Sequence, residues 1–233
     1  MLLYNNNRDT PKVRRLIKES LQRFESGEAG SKFSTPIEIE SVDRRYNVAP
    51  PLGGLVLRVQ AKILDGYKPT DNQWRQIFQS AQSRDNLWIT ADEQRMIASG
   101  KIPDPLTRRI ARYHLVDNTR GEPPMWRSDE IRELKIEIRD GKLSGKVHLE
   151  TANGDRGFLA EIRGEIETDG DLVTRCDFVA SGKFWGEGTY TRGAPEGKFP
   201  LAIAFTLADG NDLADRIPPQ GSRGWLDGYW RAQ

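Results

Sequence analysis

From residue 131 to 208 the chain alternates apolar and polar residues, the spacing of strands that bury one face. Three turn signals interrupt it: Asp140-Gly141, Asn153-Gly154 and Asp169-Gly170. Asn, Asp and Gly tolerate the positive φ that tight hairpins need. A two-residue loop at Asp140-Gly141 sets Ile138 against Leu143, Ile136 against Gly145 and Leu134 against Val147. The same loop at Asn153-Gly154 sets Leu149 against Phe158, Val147 against Ala160, Gly145 against Ile162 and Leu143 against Gly164. Both choose the same apolar face, and a one-residue slip would turn that face to water. The third turn needs three residues, 169–171, to keep the face. Ile166 is then expected opposite Thr174, Gly164 opposite Cys176, Ile162 opposite Phe178 and Ala160 opposite Ala180. A fifth strand over 198–208 carries Phe199, Leu201, Ile203, Phe205 and Leu207 on one side. Gly145, Gly157, Gly164 and Gly182 within strands point to bends or close approach, hence a strongly coiled sheet.

Earlier segments are mixed. Val13, Leu16, Ile17, Leu21 and Phe24 recur at helical spacing over residues 11–26, with Thr10 as expected N-cap, Pro11 in the first turn and Gly27 as stop. Residues 28–34 read as a linker and 36–42 as a strand. Leu55, Leu57, Val59, Ala61 and Ile63 mark one face of a strand over 55–64. Thr70 or Asp71 is expected to cap a helix with Trp74, Ile77, Phe78 and Ala81. Thr90 and Glu93 match a capping box, and Leu106, Ile110 and Tyr113 predict a helix over 105–115. The expected fold is α+β. A strongly curved antiparallel meander or partly closed barrel fills the C-terminal half, with helices from residues 70–115 packed on one side. The expected domains are a strand-helix appendage at 1–27 and a β-rich domain at 35–233, with a helical insertion at 70–115 and the meander at 131–208.

Thirty-five basic and 34 acidic residues leave a net charge of +1, which argues against a nucleic-acid partner, since phosphate binding needs a basic excess. One cysteine excludes an internal disulfide and a Cys-x-x-Cys site. No apolar run is long enough to span a membrane. The start has no basic and apolar leader, which sets cytoplasm as the default expectation; a trimmed N-terminus leaves the periplasm or secretion open. No cofactor or metal is expected. His114 reads as a cap or core residue, His148 as surface, and Cys176 as a small buried hydrophobe.

Candidate chemistry is distributed over three loops, 117–127, 184–192 and 218–225. They share Trp126, Trp185, Tyr190 and Trp225 with Arg120, Arg192, Arg223, Glu122 and Glu187. Rings with a few fixed polar groups suit a small-molecule pocket, and the ring faces suit sugars or planar ligands. The same residues also suit plain packing at the end of a sheet, where Trp plugs the end and Arg and Glu pair. Glu122 and Glu187 offer a carboxylate pair for hydrolysis, with nothing to fix their separation. The leading reading is a non-enzymatic binding or interaction module; the alternatives are a carboxylate hydrolase and a structural protein-interaction domain.

The opening MLLYNNNRDTPKVRRLIKESLQRF resembles the closing strand and helix of a thioredoxin-like domain, without any redox cysteine. The stretches RYHLVDNTRGEPPMW and FWGEGTYTRGAPEGKFPLA resemble a family of uncharacterised bacterial proteins. Neither resemblance implies an activity.

Overall fold

The computed structural model describes residues 9–27, 48–222 and 225–231. The strands expected before residue 5 and over 36–42, and the linker between, lie outside the described residues. The chain divides into two compact units, Met1–Asp43 and Arg44–Gln233.

In the first unit, α1 spans Thr10–Glu25. Its N-cap is Asp9 rather than Thr10: the Asp9 carboxylate accepts from the Lys12 amide at 3.1 Å, and Thr10 is already helical. Gly27 at φ +73° follows its end.

The second unit is built on a seven-stranded, wholly antiparallel and strongly curved sheet of order β2-β1-β7-β6-β5-β4-β3. Its strands are β1 (Leu55–Ile63), β2 (Asp85–Ile89), β3 (Ile131–Arg139), β4 (Lys142–Glu150), β5 (Gly157–Asp169), β6 (Leu172–Trp185) and β7 (Lys198–Leu207). Asp140 (φ +50°) and Gly141 (φ +70°) form the first hairpin tip, and every expected β3–β4 pair is present. The expected β4–β5 pairs are also present. That turn is wider than two residues, closing where the Thr151 amide donates to the Arg156 carbonyl at 3.0 Å. The register is unchanged because the loop widens symmetrically.

The third hairpin differs from expectation. Its tip is Gly170-Asp171, with Asp169 opposite Leu172, and a bulge follows between Glu167 and Thr168. Ile166 therefore pairs with Cys176, Gly164 with Phe178, Ile162 with Ala180 and Ala160 with Gly182, each two residues beyond the expected partner. A two-residue tip alone gives the wrong parity; the bulge's extra residue restores it, so the same side chains still face inward. Close strand approach drives the coil: an added Cβ on Gly182 would lie 1.9 Å from the Leu159 carbonyl.

Helices α3 (Ala91–Ala98) and α4 (Asp104–Arg109) bury Ile97 and Leu106 in the core that holds Leu57, Leu143, Ile166 and Phe178. The Thr90–Glu93 capping box is formed at the start of α3. Helix α2 (Gln73–Ser80) is capped by Asn72, not Thr70 or Asp71, because the Asn72 Oδ1 accepts from the Trp74 and Arg75 amides. Trp74 and Ile77 of α2 stay half exposed. The expected all-helical stretch of 70–115 is interrupted by β2. All five of its residues are buried, so the sequence DNLWI shows no alternation to betray a strand.

Candidate ligand-binding groove

The helix expected over 105–115 runs as α4 and then as a π turn, Ile110–His114, closed by the Leu115 amide on the Ile110 carbonyl at 3.0 Å. The extra residue in that turn shifts the side-chain phase. Tyr113 and His114 are buried, and Arg112, just before them in sequence, is half-buried, its Nε donating to the Trp126 carbonyl at 2.9 Å. Arg112 also stacks over the Tyr113 ring, 5.1 Å from its centroid.

The first two candidate loops are knitted together. The Arg120 side chain is fully buried: Nη2 meets Asp117 Oδ2 at 2.6 Å, Nε donates to the Thr191 carbonyl at 3.1 Å, and Nη1 to the Tyr67 hydroxyl at 3.1 Å. Trp126 is buried, with Nε1 donating to the Leu115 carbonyl at 2.8 Å and the Arg156 guanidinium 3.8 Å above its ring. Trp185 is buried at the end of β6; its Nε1 donates to the Gly154 carbonyl at 2.9 Å and Lys198 covers its face. The exposed Glu187 holds its own loop, one carboxylate oxygen accepting from the Gly193 amide at 2.8 Å and the Ala194 amide at 3.1 Å. Glu122, Tyr190 and Arg192 are exposed. Arg223 lies outside the described residues.

Trp225, 74% exposed, stands apart from this packed clasp. It borders an open groove of about 580 Å³ lined by Arg112, Tyr113, Met125, Asp227 and Arg231 among others. The groove thus takes Met125 from the first loop and Trp225 from the third, and nothing from residues 184–192. Arg112 and Tyr113 read as members of a core helix in the sequence, and Arg231 follows the last aromatic pair; the pattern carried no signal for either. Arg231 has no carboxylate partner among the described residues.

One wall of the groove is α5 (Leu226–Arg231), pinned by Tyr229. The Tyr229 hydroxyl lies 2.9 Å from His114 Nε2, and His114 Nδ1 lies 3.0 Å from Asp85 Oδ2. Asp85 Oδ1 accepts from the Asn86 and Gln220 amides, both at 2.8 Å. Burial pushes the Tyr229 phenol far above its ordinary range, so it keeps its proton. Beneath the ring, Arg109 makes two 2.7 Å hydrogen bonds to Glu93 and lies 5.4 Å from the Tyr229 centroid and 5.0 Å from that of Trp230. Burial opposes the Glu93 charge, but the hydrogen bonds and charge of Arg109 outweigh it and hold the carboxyl below its usual range.

This arrangement can stack a flat ring on indole and pair an acidic group with guanidinium. Among the described residues no group of three His, Cys, Asp or Glu side chains is placed to hold a metal ion. Compared with protein families, curated proteins and solved structures, the chain matches none.

Proposed function

We propose that this chain is a non-enzymatic binding module whose ligand seat is the groove beside Trp225. Its ligand is a small molecule with one ring able to stack on an indole, a sugar or an aromatic, and one acidic group. The carrying observation is an indole left 74% exposed on a groove that also presents Arg231 and the stacked Arg112–Tyr113 pair. An exposed large ring beside cationic groups has a use in binding that the buried Trp126 and Trp185 lack. Asp227 on the same rim disfavours ligands with a second negative charge. The hydrolase reading has less support, since the Glu187 carboxylate is engaged by two backbone amides of its own loop.

The test is a fluorescence titration with benzoate-type and uronate-type acids against their uncharged amides. Acids that quench the wild-type chain, with amides inert, support the reading. Equal response to both classes removes the role given to arginine.

A further inference from the structure

Helix α1 carries an apolar stripe on which Val13 and Leu16 are half-buried and Ile17, Leu21 and Phe24 are exposed. Val13, Leu16, Ile17, Leu21 and Phe24 follow the i, i+3, i+4 spacing of one helix face, and no residue of α1 is buried. Ile17 is 49%, Leu21 56% and Phe24 71% exposed. On a helical wheel Lys12 and Arg23 border one side of that stripe, and Arg14 and Lys18 the other. The helix holds five basic and two acidic residues, an excess of three charges in a chain whose whole net charge is +1.

The cations of α1 are also more sparsely paired than most of those on the sheet. On the outer sheet face many of the long basic side chains are matched in plane: Lys135 and Arg139 with Glu137, Lys142 and Arg175 with Glu165, Arg163 with Glu161. Among the described residues, the one ion pair of α1 joins Arg15 to Glu19 at 3.8 Å. Lys12, Arg14, Lys18 and Arg23 have no carboxylate partner among the described residues.

From this we infer that α1 is an interfacial anchor that lies flat on a bilayer surface rich in anionic lipid. Its length, about 24 Å at 1.5 Å per residue, is that of an in-plane helix and not of a span. Ile17, Leu21 and Phe24 enter the boundary between headgroups and acyl chains. The four border cations reach up along their stems to the lipid phosphates. Protein partners for an apolar helix face bring complementary shape and do not require unpaired cations on both borders; an anionic surface does, which selects the lipid.

The experiment is co-sedimentation of the full chain with phosphatidylcholine vesicles, with and without phosphatidylglycerol. The expected result is binding to the anionic vesicles alone, weakened by salt. Each border cation replaced by Gln is expected to reduce the partition constant about fivefold. The triple variant Ile17→Gln, Leu21→Gln, Phe24→Gln keeps good helix formers and touches no buried residue; it is expected to stay in the supernatant while the sheet unit unfolds at the wild-type midpoint. Equal binding to neutral vesicles, undiminished binding by the triple variant, or a chain that stays soluble beside both vesicles and instead associates through this helix overturns the inference.

Discussion

The Tyr229 hydroxyl sits 2.9 Å from His114 Nε2, across 115 residues of sequence, and with the Tyr113–Tyr229 ring contact it ties the last described helix to the turn that follows α4. Both side chains are buried, and the phenol is the partner of His114 Nε2. Tyr229→Phe keeps the ring and strands the imidazole nitrogen. It is expected to cost about 1–3 kcal/mol, read as a lower urea midpoint at unchanged slope. Loosening of α5 is expected to shift Trp225 emission as well.

Acid sensitivity is expected to follow Glu93. Its folded pKa lies below the unfolded value, so its contribution is complete above about pH 4.3 and is lost as pH falls further, through the folded value. Glu93→Gln removes that titration and leaves the buried Arg109 without its counter-charge. The expected cost is about 3–5 kcal/mol at neutral pH, with a flatter stability profile below pH 4. Urea unfolding at a series of pH values checks both.

Strand approach at Gly182 is a packing requirement. Gly182→Ala drives a methyl into the Leu159 carbonyl and is expected to cost about 1–3 kcal/mol or more. Ser181→Ala, on the exposed face next door, is expected to stay within about 0.5 kcal/mol of wild type. Thermal unfolding of the two variants compares them.

Cys176 lies inward on β6 opposite Ile166, and burial pushes its thiol up to about 12. It is expected to resist a thiol reagent at neutral pH in the folded protein and to react at once in denaturant. Fast labelling of the native chain contradicts its placement.

Where the chain alternates, its folding was readable. The turns centred on Asp140-Gly141 and Asn153-Gly154 select the same apolar face, and the β3–β4 and β4–β5 registers follow from them. The third hairpin kept its face and slid by two, because parity is written in the side chains but the choice between a longer loop and a bulge is not. Strand β2 was illegible because both its faces are covered, and Asp85 and Asn86 look like loop residues until their hydrogen-bond partners near residues 214–220 are placed. The aromatic loop cluster was half legible. Proximity in the fold was anticipated for Arg120, Trp126 and residues 184–192, but exposure was not: the sequence does not distinguish the buried Trp126 and Trp185 from the open Trp225. The groove partners Arg112 and Tyr113 depend on a π turn, whose phase shift no periodicity announces.

The most direct measurement is a fluorescence titration of wild type beside Trp225→Phe, with uronate-type and benzoate-type acids as probes. The account requires saturable quenching in the wild type, loss of that signal in Trp225→Phe, and weakening of at least tenfold in Arg231→Gln, in line with a charge-assisted hydrogen bond worth about 1.5–3 kcal/mol. Quenching that persists unchanged in Trp225→Phe, or no response of the wild type to any acid, contradicts a ligand seat in this groove.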